Sequence, residues 1–397
     1  MTFPVPHLFR NRAQSPIESH HRLELLRLAP AEHLNYVATL PSASFLQCPS
    51  WAEVKTDWHS EHVGWFDKAG TLVGAALVLY RAVPHTDHCF AYIPEGPLID
   101  WTDNRLDRWL TPLLDHLKRR RRAFTVTMGP PVPVHSWHSR TLKEAVAAGT
   151  AKRLHDVPAD DTDKRGVAVR ERLRALGWFQ AHNGRRGGGD AQPRLVFELP
   201  LAGRSLDEVW AGFSQRWRRD VNKARKAGVE TLVGGPDDLP TFYRLLETTQ
   251  QRDGFDLGRS LTYYEQQYRA LTSEHPDRMR LYLARHDGEV LAAHTLNRVG
   301  RRAWYQLGAS ASHRRDVRPS HAIQWQMIQD AHTAGCTVYD MRGFNDTLDR
   351  DDPAFGLLHW KLGTGGQAVE YVGEWSFVLN KPLNQAFKAY LRLRRSS

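Results

Sequence analysis

The stretch VGWFDKAGTLVGAALVL (Val63–Leu79) has the pattern of a β-hairpin. Two apolar runs flank a short polar turn that ends at Gly70. Glycine in that place suits the positive φ angle of a tight hairpin. The segment therefore predicts two antiparallel strands. Its longest apolar run, Leu72–Tyr80, has the length of a strand and is far below the roughly 20 residues that span a bilayer.

A second hairpin pattern lies half a chain away, in LYLARHDGEVLAAHTLN (Leu281–Asn297), with its glycine at Gly288. In both halves a third strand pattern, a helical pattern and a further strand pattern follow. These segments are HCFAYIPEGPLID, RLDRWLTPLLDHLKRR and AFTVTMGP in the first half, and RRAWYQLGAS, SHAIQWQMIQDAHTAG and TVYDMRG in the second. The repeated order predicts two related domains of the mixed α/β (α+β) class.

The length and charge of the chain indicate how many domains it has and what kind of partner it binds. A chain of 397 residues is too long for one ordinary core and suits two domains. The net charge of +10 favours an anionic partner, such as nucleic acid, phosphate groups or an acidic membrane surface. The N-terminus has no continuous apolar run, and the three cysteines are far apart in the sequence. We therefore expect a cytoplasmic protein with reduced thiols.

The segment QRWRRDVNKARKAG (215–228) concentrates positive charge at helical spacing. Two interpretations stay open: a basic helix that contacts phosphate groups of RNA, and a basic helix that is merely solvated. The candidate phosphate-binding residues are Arg218, Arg219, Lys223, Arg225 and Lys226. The histidine pairs 59/62 and 85/88 lack a third ligand nearby, so no metal site is expected.

The order of elements resembles the acetyltransferase-like (GNAT) fold. In that fold a glycine-rich loop before a helix binds the pyrophosphate of coenzyme A through backbone N–H groups. The corresponding loop in the second half, SASHRRDVRPSH (Ser310–His321), has three arginines and no glycine. The glycine-rich segment GRRGGGDAQPR (Gly184–Arg194) precedes a strand pattern and is interpreted as an interdomain connection. No acyl-CoA cofactor is therefore expected.

Seven segments in order identify a more specific resemblance. They are FLQCPSWAEVKTDW, AYIPEGPLID, QRWRRDVNKARKAGVE, WYQLGASA, HAIQWQMIQDA, VYDMRGF and GLLHWKLGTGG. The chain resembles the Fem family (FemA/FemB/FemX type) of aminoacyl-tRNA-dependent peptidyltransferases. The resemblance implies two tandem GNAT-like domains with a cleft between them. We expect domain one at residues 1–194, completed by 373–397, and domain two at 195–372. Only about one helix fits between residues 230 and 250, as in the short, arm-less members.

The resemblance also implies roles for individual residues. Lys55 and Arg259 match cations that contact the phosphates of a UDP- or lipid-linked muropeptide. Lys361 matches a lysine that stabilises the oxyanion formed on the aminoacyl ester, whereas the residue alone could be a solvated surface lysine. Trp360 matches an aromatic ring beside the terminal adenosine of tRNA. In this interpretation GLLHW shields the lysine from water and GTGG allows backbone and substrate to approach closely.

The chain departs from the family pattern at several positions. Phe124 and Leu307 occupy positions where the family often has tyrosine, and with Tyr305 they complete the expected substrate contacts. Gly129 lies where some members have an acidic residue. Asp340 is the nearest candidate for assisting the attacking amine. A structural role for Asp340, bonded to Arg342 or capping the next loop, is the alternative.

The implied reaction is the transfer of glycine, alanine or serine from aminoacyl-tRNA to the side-chain amine of a peptidoglycan precursor. The product is an amide in an interpeptide bridge, formed without a cofactor or metal. The basic C-terminus could contact the anionic inner membrane face, but a few cations bind such a surface weakly. Three alternatives stay open: tRNA-dependent amide formation on a small natural product, an acyl-CoA-dependent N-acyltransferase, and a non-enzymatic RNA-binding protein.

Overall fold

The computed structural model describes residues 23–84, 86–180, 191–254 and 258–396. The strands are β1 (Glu24–Arg27), β2 (His59–Phe66), β3 (Leu72–Ala82), β4 (Cys89–Ile93), β5 (Ala123–Met128), β6 (Pro133–His138), β7 (Asp161–Thr162), β8 (Phe179–Gln180), β9 (Leu195–Pro200), β10 (Glu230–Gly234), β11 (Met279–His286), β12 (Glu289–Val299), β13 (Arg302–Ser310), β14 (Val338–Gly343), β15 (Gln367–Tyr371) and β16 (Trp375–Val378). The helices are α1 (Pro30–Thr39), α2 (Ser50–Val54), α3 (Leu106–Arg121), α4 (Ser139–Ala148), α5 (Lys164–Ala175), α6 (Leu206–Gly212), α7 (Gln215–Lys226), α8 (Leu239–Asp253), α9 (Leu261–Glu274), α10 (Pro319–Thr333), α11 (Phe355–Leu362) and α12 (Lys381–Ser396).

The predicted repeat is confirmed. The hairpins β2–β3 and β11–β12 are antiparallel, and their turns hold Gly70 at φ 77° and Gly288 at φ 80°. In each half the third strand pairs in parallel with the strand that follows the helix, as β4 with β5 and β13 with β14. A parallel pair needs a crossover, which α3 and α10 provide. One helix, α8, lies between β10 and α9, as the arm-less pattern predicts.

The two sheets exchange strands along the chain. The first sheet has the order β1-β2-β3-β4-β5-β16-β8, and the second has the order β10-β11-β12-β13-β14-β9-β15-β6-β7. Strand β16, from the expected C-terminal return, therefore lies in the first sheet. Strands β6 and β7, from within residues 1–194, lie in the second. The boundary at 194/195 itself stays a prediction, and most of the predicted connection 184–194 lies outside the described residues.

The halves share an apolar core. One buried cluster joins Phe45, Trp51 and Leu77 of the first half to Leu271 and Trp304 of the second. The ring of Phe45 packs edge-on against Trp304, with centroids 5.5 Å apart. Because this contact buries large side chains from both halves, it holds the two sheets in one relative position. Among the described residues, no helix is both long and apolar enough to cross a membrane.

The two parallel strand pairs differ in how far along their length they are hydrogen-bonded. Strands β4 and β5 pair along the whole of β4. Strands β13 and β14 pair only from Arg302 to Trp304, and a bulge interrupts the β12–β13 ladder beside Leu296. The second sheet therefore opens beyond Trp304, and α11 approaches the end of β14 there.

Candidate functional site

Lys361 is buried at the open end of β14. Its side chain is 2% exposed, and its ammonium donates to the carbonyl oxygens of Arg342 (3.0 Å) and Gly343 (2.6 Å). Burial lowers the pKa of this ammonium to about 7, an effect that Asp340 opposes and Arg342 reinforces. The alternative of a solvated surface lysine is therefore wrong. Its proposed contact with an oxyanion stays a prediction.

Trp360 lines two cavities, whereas the neighbouring Lys361 is not among the residues that line either of them. The larger, about 800 Å³, lies against β13 and is called the β13 cavity. The smaller, about 630 Å³, lies beside α7 and is called the α7 cavity. Both cavities are lined by Trp360, His321, Arg315 and Arg318. The indole N–H of Trp360 donates to Nε2 of His321 at 3.3 Å, which fixes the ring between the two cavities.

The α7 cavity is strongly basic. Its cations are Lys143, Arg216, Arg315, Arg318 and Arg350, and the acidic residue in its wall is Asp220. The buried carboxylate of Asp220 lies 3.3 Å from Nε of Arg318. Burial lowers the pKa of His321 to about 4, so this imidazole is neutral at pH 7. The wall is therefore suited to phosphate groups or another polyanion.

The glycine run after Lys361 serves packing within the protein. A Cβ atom at Gly363 would overlap the ring of Trp217, and a Cβ at Gly365 would overlap the carbonyl oxygen of Gly212. Gly365 also has φ 72°, which disfavours other residues. The sequence GTGG was expected to let substrate approach the backbone. In the structure the α6–α7 segment is what lies against Gly363 and Gly365.

Replacing Gly365 with alanine should destabilise the fold by roughly 1–3 kcal/mol, because the backbone is left-handed and the new methyl group meets a carbonyl. Urea unfolding followed by tryptophan fluorescence would measure this change. Gly356→Ala is the matched control, because it lies in α11 with open space around its Cβ position. It should be neutral or slightly stabilising. Equal stability of the two variants would contradict this account.

Lys55 and Arg259 come together around one tyrosine. The Lys55 ammonium donates to the hydroxyl of Tyr263 at 3.1 Å, and the Arg259 guanidinium lies 4.8 Å from the centre of the same ring. Burial lowers the pKa of Lys55 to about 8, and the neighbouring Arg259 adds to that shift. Two cations from different halves therefore converge. Sequence reasoning missed Tyr263, although SLTYY directly follows Arg259.

The other expected substrate contacts lie in different places. Tyr305 lines the β13 cavity, with its ring 6.2 Å from that of Trp360. Leu307 packs on the apolar cluster under α8 and α9. Phe124 is fully buried in β5, where its ring packs against Phe387 of α12. The structure therefore brings Tyr305 close to Trp360, whereas Phe124 is enclosed in the core.

The predicted basic helix corresponds to α7. Arg219, Lys223, Arg225 and Lys226 are exposed on it, whereas Trp217 is buried. Arg218 donates to the carbonyl oxygens of Ala211 and Phe213, which commits its guanidinium to the fold. RNA contact by these residues stays a prediction.

Asp340 belongs to a buried charge network. Its carboxylate accepts from Arg302 at 2.7 Å and from the backbone N–H of Arg342 at 2.6 Å. Arg302 also donates to Glu198 (2.5 Å), which accepts a further bond from Tyr371. Both carboxylate oxygens of Asp340 are therefore engaged in hydrogen bonds within the protein. This arrangement favours the structural role for Asp340 over assistance to the attacking amine. Sequence reasoning named Arg342 but missed Arg302, Glu198 and Tyr371, because these come from distant segments.

Arg342 links the two halves beside Lys361. Its guanidinium donates to Glu95 of the first half (2.8 Å) and to the side chain of Gln192 (2.8 Å). Its backbone has φ 61°, a costly conformation for a residue with a Cβ atom. Because the carbonyl of this residue also binds Lys361, the interdomain contact helps to set the position of the ammonium.

A carboxylate does lie near Gly129. A Cβ atom at Gly129 would be 3.0 Å from Cγ of Glu374. The carboxylate of Glu374 accepts from the Tyr92 hydroxyl (2.7 Å) and from the backbone N–H of Ala191 (2.9 Å). A carboxylate from the C-terminal segment therefore lies beside Gly129.

The sequence is similar to known proteins over most of its length. A family model described as the FemAB family matches residues 28–289 and 283–392. The chain is 24% identical over 430 residues to a lipid II:glycine glycyltransferase of Staphylococcus haemolyticus, covering 91% of this chain and 94% of the relative. It is 26% identical over 435 residues to the enzyme of the same name from Staphylococcus aureus, with the same coverage of both chains.

Solved structures show the same fold. A crystal structure of FemX superposes with a TM-score of 0.76 at 23% identity, covering 91% of this chain and 99% of that one. A tandem GNAT protein from the clavulanic acid biosynthesis pathway superposes with a TM-score of 0.50 at 13% identity, covering 90% of this chain and 99% of that one. The predicted tandem GNAT-like architecture is confirmed.

Proposed function

Because this chain belongs to the FemAB family, we propose that it transfers an amino acid from aminoacyl-tRNA to the side-chain amine of a peptidoglycan precursor. The relatives are lipid II:glycine glycyltransferases, which supports glycine as the donor group and a lipid-linked acceptor. The observation that carries the proposal is the buried Lys361 ammonium beside Trp360 and two cation-lined cavities.

The acceptor binds at Lys55 and Arg259. Their convergence on Tyr263 places two positive charges from different halves at one point, and a diphosphate is the group that best matches them. The peptide stem then extends toward the junction of the halves, where Arg342 and Glu95 meet.

The donor RNA binds with its 3′ end in the α7 and β13 cavities. The five cations of the α7 cavity wall bind phosphates, and Trp360 packs against the terminal base. The N-terminus of α10 favours RNA over coenzyme A as the donor substrate. The helix begins with Pro319, which lacks an N–H, and the N–H of His321 is already bonded to Arg318 at 3.1 Å. Few backbone donors therefore remain there for a pyrophosphate.

The chemistry is aminolysis of an ester. The acceptor amine attacks the ester carbonyl carbon, a C–N bond forms, and the C–O bond to the ribose breaks. The ribose oxygen leaves as a hydroxyl group and takes a proton lost by the amine. Lys361 stabilises the negative oxygen of the tetrahedral intermediate through the third N–H of its ammonium, since two carbonyls occupy the others. Water is excluded around this group, which strengthens the interaction.

The direct test is a transfer assay. Purified protein receives tRNA charged with radiolabelled glycine, alanine or serine, together with UDP-linked or lipid-linked precursor. We expect label in an amide on the lipid-linked precursor, with glycine as the preferred donor. Labelled acetyl-CoA is the control donor and should give no product. Absence of transfer to either precursor while the tRNAs remain charged would overturn the proposal.

Lys55→Ala and Arg259→Ala should each raise the KM for the acceptor by about tenfold or more, the scale of one hydrogen bond to a charged group. The kcat at saturating acceptor should change little, because neither residue touches the ester. Both cations would contact the same phosphates, so their effects should not be additive. Lys118→Ala, an exposed cation of α3, is the control. A fall in kcat at unchanged KM would contradict the assignment.

A further inference from the structure

A third cavity, about 470 Å³, lies beside α6 and is called the α6 cavity. It is separated from the α7 cavity by helix α7 itself. Arg216, Trp217 and Asp220 line the α7 cavity, whereas Asn222 and Arg225 line the α6 cavity. At 100° per residue these sets lie on different faces of the helix. The two cavities are therefore about one helix diameter apart, roughly 10 Å.

Two tryptophans form the aromatic part of this cavity. Trp210 of α6 and Trp325 of α10 are half-buried, and their ring centroids are 4.9 Å apart. Both rings also pack on Phe213, which holds them against the core. Within the described part of the chain, neither indole N–H has a hydrogen-bond partner. The cavity thus offers rigid aromatic surface together with free donors.

Several polar side chains of the cavity are also uncommitted, and the wall includes one carboxylate, that of Asp207. Among the described residues, Asn222, Arg225 and Gln329 have no side-chain hydrogen bond or ion pair. The Nε2 of Gln326 donates to Asp330 at 2.8 Å, which leaves its carbonyl oxygen available. Amide groups that both donate and accept, placed beside aromatic rings, match the edge and face of a nucleobase.

We propose that the α6 cavity binds an unstacked base of the donor RNA, a few nucleotides before the aminoacylated end. The proposal rests on the proposed function, because the α7 cavity holds the 3′ end. The outward face of α7 lies between the two cavities and exposes Arg219, Lys223 and Lys226. A single strand that crosses this face meets positive charge along its backbone, and its next base reaches Trp210 and Trp325.

The test combines protein variants with abasic RNA. The probe is a fluorescein-labelled RNA hairpin that ends in the unpaired 3′ nucleotides of a tRNA, with one abasic site at each unpaired position in turn. Binding to the full chain is followed by anisotropy at fixed salt. We expect one abasic position before the terminal nucleotide to weaken binding to wild type by about tenfold, the scale of one base–aromatic contact.

The same abasic position should cost much less in Trp210→Leu, since only Trp325 of the aromatic pair then remains. Asn222→Ala combined with Gln329→Ala is a second variant that alters only uncommitted side chains and should behave likewise. Arg119→Ala, an exposed cation of α3, should keep the full abasic effect. This cycle separates base binding from general charge attraction.

Two results would overturn the proposal. One is the absence of any position before the terminal nucleotide whose abasic penalty is larger in wild type than in both variants. The other is unchanged RNA affinity in the variants with reduced sedimentation on phosphatidylglycerol vesicles, which would make the surface a membrane contact. Base-dependent binding without any transfer to precursors would retain this inference and remove the proposed function.

Discussion

Lys361→Ala should lower the kcat of aminoacyl transfer by at least about a hundredfold, the scale of losing one oxyanion donor. The expectation follows from burial: the ammonium is 2% exposed and is held by the carbonyls of Arg342 and Gly343. The measurement is single-turnover transfer of labelled glycine at saturating acceptor and donor.

Lys361→Met is the packing control for this prediction, because it keeps an unbranched apolar stem and removes the charge. It should lose as much activity as the alanine variant. The KM for each substrate should change little in both variants. Loss of activity in Lys361→Ala with recovery in Lys361→Met would show that the lysine only fills space.

The pH profile gives an independent readout of the same role. The pKa of Lys361 is lowered to about 7, so the charged form is lost as the pH rises through that value. Wild-type activity should therefore fall on the alkaline side of about pH 7. An arginine in this place stays protonated, so active Lys361→Arg enzyme should lack that fall. The same alkaline limb in both proteins would assign it to another group.

Asp340→Ala should destabilise the protein by about 3 kcal/mol or more, because removing one partner of a buried ion pair leaves the other charge uncompensated. Asp340 is 1% exposed and accepts from Arg302 and from the backbone of Arg342. Glu198 still pairs with Arg302 in the variant, which places the loss at the lower end of the usual range.

Urea unfolding measures this loss, and Asp237→Ala is its control. Asp237 is exposed, so its removal should change stability by no more than about 0.5 kcal/mol. Asp340 also holds the turn whose carbonyls bind Lys361, so the folded variant should transfer more slowly. A loss below about 1 kcal/mol would mean that the network contributes little to stability.

The sequence alone determined the repeated strand order, the two hairpins and the basic helix. These features depend on short-range rules: apolar periodicity sets strands and helices, and Gly70 and Gly288 meet the positive φ of tight turns. They can be predicted because the residues that decide them are neighbours in the chain. The resemblance of seven ordered segments identified the family, and the FemAB family model matches residues 28–289 and 283–392.

Only the tertiary structure decided where the charged side chains end up. Lys361 is buried because α11 packs on the end of β14, and Asp340 is engaged because Arg302 and Glu198 come from two other strands. Glu374 reaches Gly129 because β16 returns to the first sheet. Burial and pairing of a charge depend on distant segments that meet only on folding, and no local pattern records which segments those are.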